Sequence, residues 1–180
     1  MKVSKYITIG GFGSRLKCLS SLEKQNLYWW DKTILEWNTM LIPDIQLLGH
    51  DKTTSRKETL MEIKDMENVL IVDCDIIPFQ MPELTYETDE VVCFISTKKK
   101  WGSVLVENGV VVESNEKPTE WNTKLSGVYF IKSMKTLLEN MDNPNSIISG
   151  MDKPKVYYEN TFVRLGDRTD YMENIKIECV

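Results

Sequence analysis

Histidine is almost absent: the 180 residues hold one, His50, which alone cannot build a histidine metal cluster, and no neighbour in the sequence supports a His-based dyad. Cysteine is scarce as well. Cys18, Cys74, Cys93 and Cys179 are scattered without any C-x-x-C pair. That argues against a zinc site and against a disulfide framework, and it fits a reducing cytoplasm. There is no basic excess. Twenty-two Lys and Arg stand against 27 Asp and Glu, for a net charge of -5 and a pI near 5.1, so nucleic acid is not an expected partner. The Lys98-Lys99-Lys100 cluster reads as a solvated strand end. No apolar run reaches membrane-spanning length, and Met1-Lys2-Val3-Ser4 leads into a strand rather than a signal peptide. Internal repeats, low-complexity tracts and linkers are missing too. Residues 1–180 therefore read as a single domain, with a 42% hydrophobic and 27% charged share ordinary for a globular protein.

What is present is organised around Asn68-Val69-Leu70-Ile71-Val72-Asp73-Cys74-Asp75. An unalternating Val, Ile and Leu run suits a strand buried on both faces of a parallel sheet. Asp73 and Asp75 would then stand at the carboxyl edge of that sheet, where open α/β sheets take their ligands. Two hard oxygen ligands there point to a divalent cation such as Mg²⁺, with substrate phosphates completing its shell.

A second strand, Tyr6-Ile7-Thr8-Ile9, runs straight into Gly10-Gly11-Phe12-Gly13-Ser14-Arg15-Leu16. Glycines after a strand let the backbone turn and aim several N–H groups at one anion. The stretch is neither the Walker pattern nor the dinucleotide fingerprint, since Leu16 stands where a third glycine belongs. Arg15 adds a guanidinium shaped for phosphate oxygens. Further on, Trp29-Trp30 read as core or edge packing, and Thr33 to Leu41 reads as a helix with Ile34, Trp37 and Leu41 on one stripe, stopped by Pro43. Residues 44–49 read as a strand. Ser55 and Glu58 have capping-box spacing for a helix to about residue 66, and the polar segment Thr54-Ser55-Arg56 should face the carboxyl edge.

Pro78 and Pro82 are expected to break the chain after the central strand, and Val91 to Ile95 forms another. Asn108-Gly109 between Val104-Leu105-Val106 and Val110-Val111-Val112 is a hairpin signal, because both turn residues need positive φ. Residues 125–131 read as a strand and Met134, Leu137, Leu138 and Met141 as the apolar stripe of a helix. Residues 156–158 and 161–163 supply late strands, and a short last helix is expected from Asp170. The fold class is α/β: a three-layer, Rossmann-like mixed, mostly parallel sheet flanked by helices, with an inserted β-hairpin.

In this order the pieces resemble the sugar-phosphate nucleotidyltransferase family, whose sheet is of the glycosyltransferase-A kind. Gly10 to Leu16 matches the family's G-G-x-G-[ST]-R-L at every fixed position. Lys24 and Lys32 to Glu36 follow the next two motifs, Asp73-Cys74-Asp75 the strand-terminal acidic motif, and Glu116-Lys117-Pro118 and Gly127-Val128-Tyr129 the two after it. The resemblance implies that an NTP condenses with a sugar 1-phosphate, or a related activated alcohol, to release pyrophosphate. It assigns nucleotide binding to Gly10, Gly11, Gly13 and Ser14, while the polar segment after the strand at residues 44–49 puts Ser55 and Arg56 in reach of the same nucleotide. It gives Arg15, Lys24 and Asp75 the catalytic roles, Mg²⁺ to Asp75 with Asp73, and the sugar phosphate to Gly102, Glu116, Lys117 and Gly127. Arg164 departs from the pattern, standing where the family has a second metal-binding Asp, and Lys24 lacks its usual proline. A glycosyltransferase using Asp73-Cys74-Asp75 as D-x-D and a catalytically silent nucleotide- or sugar-binding module are the alternatives. The base, the sugar and the oligomeric state are not encoded in readable motifs.

Overall fold

The computed structural model describes residues 1–9, 24–49, 55–98, 101–115, 119–159 and 161–165. In chain order the strands are β1 (Ser4–Thr8), β2 (Tyr28–Trp29), β3 (Lys32–Thr33), β4 (Gln46–Leu48), β5 (Glu67–Asp73) and β6 (Ile76–Pro78). They continue with β7 (Glu90–Ile95), β8 (Ser103–Glu107), β9 (Val110–Asn115), β10 (Thr123–Ser133), β11 (Lys155–Tyr158) and β12 (Phe162–Arg164). The helices are α1 (Ile34–Leu41), α2 (Arg56–Leu60) and α3 (Met134–Asn140), with 3₁₀ turns at Lys24–Asn26, Met61–Ile63 and Ile147–Gly150.

Among the described residues eight strands form the main sheet in the order β4-β1-β5-β10-β7-β11-β9-β8. β1 pairs in parallel with β4 and β5, and β7 with β11. β10 runs antiparallel between β5 and β7 and touches β8 at Lys124 opposite Ser103. The chain thus leaves β1 for β4 on one side, then returns to β5 on the other. The strand order reverses between β1 and β5, the crevice where doubly wound sheets hold their ligands.

The expectation that the central strand is buried on both faces is met. Val69 and Ile71 pack into one apolar cluster with Leu60 and Ile63 after α2 begins and with Met134, Leu137 and Leu138 of α3. Leu70 and Val72 enter the opposite cluster with Ile42, Val92 and Phe130. Each such side chain stabilises by roughly 1.5–3 kcal/mol through burial, which explains the near-continuous apolar run.

α1 is held at its start by Thr33, whose Oγ1 accepts the Glu36 N–H at 3.2 Å while the Thr33 N–H donates to Glu36 Oε2 at 2.7 Å. Its stripe differs in part from the expectation. Ile34 and Asn38 are the buried positions, Asn38 donating through Nδ2 to the carbonyls of Ile34 and Ile76, while Trp37 and Leu41 are only partly buried. Trp37 donates its indole N–H to the Trp29 carbonyl at 2.9 Å, and its ring lies 5.6 Å from that of Trp29. The hairpin turn is as expected, with φ of 50° at Asn108 and 79° at Gly109.

Two features went unanticipated. Ile76–Pro78, expected to be a break, pairs with β12 as a small second sheet, and Pro78 ends an edge strand, where its missing N–H costs nothing. β10 carries a register shift between Leu125 and Val128. Cys74 and Cys93 are buried, and burial pushes the Cys93 thiol up to about 12.

Candidate functional site

The carboxyl edge gathers the ends of β1, β4 and β5. Thr8 lies level with Leu48 on one side and with Asp73 on the other. Ile9 N–H donates to the Leu48 carbonyl at 2.8 Å, and the glycine-rich segment begins at the next residue. Gly10, Gly11, Gly13, Ser14 and Arg15 lie outside the described residues, as do Glu116 and Lys117. Lys24 opens the 3₁₀ turn Lys24–Asn26, and its side chain likewise lies outside the description. The described residues that precede those segments are placed: β1 ends at Thr8 beside Asp73, and β9 ends at Asn115.

Asp73 is the last residue of β5, 6% exposed. Its Oδ1 lies 3.0 Å from Nη2 of Arg56, the first residue of α2. On the other side is β10 at the register shift. Gly127 has φ of +96°, and a Cβ built there would fall 2.9 Å from Asp73 Oδ2. A side chain at position 127 would therefore strike the carboxylate. The shift itself is an extra stretch of strand whose ladder groups need partners. Ser126 supplies them, its hydroxyl donating to the Val92 carbonyl at 2.8 Å and accepting the Val128 N–H at 3.3 Å.

Ser55 is the N-cap of α2, accepting the Glu58 N–H at 3.2 Å. The Ser55–Glu58 spacing therefore serves the helix start as read. The cap holds Arg56 in place, together with the Lys57 N–H donating to the Pro144 carbonyl at 2.8 Å.

Asp75 follows in the turn between β5 and β6, 8% exposed. Its carbonyl accepts the Leu165 N–H at 2.7 Å, and Arg164 lies opposite Ile76. Arg164 is therefore one strand position from Asp75, and its Nη1 donates to the Leu125 carbonyl at 3.1 Å. The second small sheet is what brings this arginine to the acidic turn. Gly102 lies where its carbonyl accepts the Leu125 N–H at 3.0 Å, next to the same irregularity in β10.

Asp73, Asp75, Arg56, Gly127, Gly102 and Arg164 thus converge on one sheet edge. Sequence reasoning passed over Lys124, a lysine only 1% exposed at the start of β10. Lysines are almost never fully buried without compensation, so a lysine immediately before the largely apolar run that begins at Leu125 was the available signal. A cleft of about 550 Å³ is walled by β9 from Val111 to Asn115 and by the segment through Asn143 and Ser146, and its lining does not include the edge residues named above. The segment containing Asn143 is the one that anchors Lys57.

A hard divalent cation suits this donor set. Magnesium commonly takes one or two carboxylates and fills its shell with water and substrate phosphates; the carboxylates at this edge are Asp73 and Asp75, and the described residues hold no group of three or more His, Cys, Asp or Glu that could bind a metal by themselves. Among the described residues there is also no helix long and apolar enough to cross a membrane.

No protein-family profile matches the chain, and no curated protein sequence does. Solved structures do. CTP:phosphocholine cytidylyltransferase from Streptococcus pneumoniae superposes with a TM-score of 0.81 at 14% identity, over 99% of this chain and 100% of that one. The nucleoside-diphosphate-sugar pyrophosphorylase from Vibrio cholerae RC9 gives 0.70 at 13% identity, over 95% and 99%. The inositol-1-phosphate CTP transferase from T. maritima gives 0.69 at 11%, over 97% and 96%. The fold is that of these nucleotidyltransferases.

Proposed function

We propose that the protein is a nucleotidyltransferase that condenses an NTP with a sugar 1-phosphate, or with the phosphate of a related alcohol, and releases pyrophosphate. The carrying observation is the convergence at the β1–β5 crevice: the glycine-rich segment leaves β1 beside Asp73, and Asp75 follows within the same turn. The fold's solved relatives support it, since their names include transferases acting on phosphocholine and on inositol 1-phosphate.

On this reading the acceptor's phosphate oxygen attacks the α-phosphorus of the NTP, the bond to the β-phosphate breaks, and pyrophosphate departs. Such transfers are governed by alignment and by neutralising charge. The backbone of Gly10, Gly11 and Gly13, with Ser14, cradles the phosphates, Arg15 steadies the departing pyrophosphate, and Lys24 binds phosphate near the reacting centre. Glu116 accepts hydrogen bonds from the acceptor's hydroxyls, and Lys117 holds its phosphate. Asp75 would hold Mg²⁺, which when bound supplies charge neutralisation and a template for the phosphates. Asp75 is 8% exposed, and a setting that excludes water would strengthen such electrostatics. The reading places the reaction among those of the cytoplasm, where NTP is abundant.

The test is to incubate the protein with Mg²⁺, each NTP and a panel of sugar 1-phosphates, phosphocholine and inositol 1-phosphate, and to follow pyrophosphate. Release with one base and one acceptor class is expected, falling by at least about 100-fold in Asp75→Asn, the loss typical of one preorganised electrostatic contact. No release with any pair, together with tight binding of NDP-sugars, would favour the glycosyltransferase reading of Asp73-Cys74-Asp75. No turnover with nucleotide binding intact in Asp75→Asn would favour the silent binding module, for which Arg164 beside Asp75 is the motive.

A further inference from the structure

We propose, resting on the nucleotidyl-transfer reading, that Asp73 is a positioning residue and not a metal ligand: it holds Arg56 at the carboxyl edge to meet the nucleotide phosphates. Asp75 is then the carboxylate that takes the metal.

The two members of the ion pair differ in exposure. The Asp73 side chain is 9% exposed and that of Arg56 is 30% exposed. The buried carboxylate is the fixed member, and the guanidinium is the one an incoming ligand meets. Both Asp73 oxygens have a neighbour that confines them. Oδ1 faces the Arg56 guanidinium at 3.0 Å, and Oδ2 faces the β10 backbone at Gly127, close enough that a Cβ would fall 2.9 Å away. Magnesium demands near-octahedral geometry and keeps several waters. A carboxylate held between a guanidinium and a neighbouring strand has little room for that shell, and the guanidinium repels a cation on the same oxygen.

Arginine suits the other half of the role. Its planar fork carries five donors and can bridge a carboxylate and a phosphate at once. Arg56 is set by its surroundings as well as by Asp73. Ser55 caps the turn, the Lys57 N–H donates to Pro144, and the Arg56 N–H reaches Asn145 Oδ1 at 3.5 Å. Gly127 belongs to the same device. Its bare Cα is needed to seat Asp73.

Mn²⁺ in place of Mg²⁺, followed by electron paramagnetic resonance alongside calorimetric NTP titrations, separates the roles. Arg56→Gln and Asp73→Asn should each weaken NTP binding about tenfold, the loss of one charge-assisted hydrogen bond. The double variant should be no weaker than the worse single. Protein-bound Mn²⁺ with nucleotide should survive in Asp73→Asn and vanish in Asp75→Asn. Arg56→Lys should not restore affinity, because an ammonium lacks the fork. Loss of bound Mn²⁺ in Asp73→Asn, or additive losses in the double variant, would overturn the proposal. If Asp73→Asn does not fold, the Arg56 variants on their partly exposed side chain decide it: unchanged NTP affinity in Arg56→Gln overturns it. A wild type that binds no NTP would sink nucleotidyl transfer itself and this pair with it, whereas NTP binding with metal loss at Asp73→Asn sinks the pair alone.

Discussion

Gly127 is the residue at which backbone and site chemistry are most tightly joined. Its φ of +96° is a conformation side chains rarely adopt, and its Cα abuts the buried Asp73 carboxylate. Gly127→Ala is expected to destabilise the fold by roughly 1–3 kcal/mol, as forcing a non-glycine residue into such a region does. It should also displace Asp73 from Arg56. Urea unfolding and nucleotide titration of the same variant check both effects. An alanine that leaves both unchanged would mean the contact is slack. Two carboxylates give a second residue-scale prediction, in opposite directions. Burial raises Asp89 above a free aspartate, opposed by the Lys132 N–H that donates to it at 2.8 Å. Glu36 is held below a free glutamate by the Thr33 N–H and hydroxyl. The raised group favours folding when protonated, a contribution lost as pH rises through its folded value. The lowered group favours folding when ionised, a contribution lost as pH falls through its own. Carboxyl NMR titration of the folded protein should put Asp89 above and Glu36 below their values in the unfolded chain. Both residues shifted the same way would contradict the assigned causes.

At the scale of elements, the start of α1 carries a complete capping box, and the start of α2 has the Ser55 cap. Thr33→Ala should cost about 1 kcal/mol, the usual loss for an N-cap hydroxyl, read as a lowered unfolding midpoint with the denaturant slope unchanged. A change near zero would mean that Glu36 alone closes that turn. Much at this scale was legible in the residues. The apolar run before Asp73, the Asn108-Gly109 turn and the stripe of Met134, Leu137 and Leu138 each carry a local signal, because a period or a positive φ demands specific residue types. The Ser55–Glu58 spacing was read and the Thr33–Glu36 spacing was not, although both are the same pattern. β6 was hidden for a different reason. Ile76–Pro78 is too short to show a period, and it becomes a strand only because Phe162–Arg164 arrives to pair with it.

For the whole molecule, the convergence of the site depends on strand order and direction, which no local pattern encodes. An apolar strand reads the same whichever way it runs, so the antiparallel placement of β10 beside β5 was invisible from Leu125 to Ile131 alone. That placement is what sets Gly127 against Asp73. The ion pair between Arg56 and Asp73 was equally hidden: the two residues are joined by the crossover from β4 over β1 to β5, and only their shared edge was inferable. Asp73 and Asp75 were legible as a paired-carboxylate edge, whereas the division of labour proposed for them is argued from the packing around Asp73. Arg164 stood out in sequence as a charge reversal, and the small β6–β12 sheet explains how it comes to lie next to Asp75.

Nucleotidyl transfer at this edge is tested most directly by following which phosphate moves. The protein is incubated with Mg²⁺, an acceptor phosphate and its preferred NTP, labelled at either the α- or the γ-phosphorus, and the products are separated. The α-label is expected in the acceptor adduct and the γ-label in pyrophosphate, with both transfers lost in Asp75→Asn. A γ-label in the acceptor, or both labels remaining in unreacted NTP with every acceptor tried, would contradict nucleotidyl transfer.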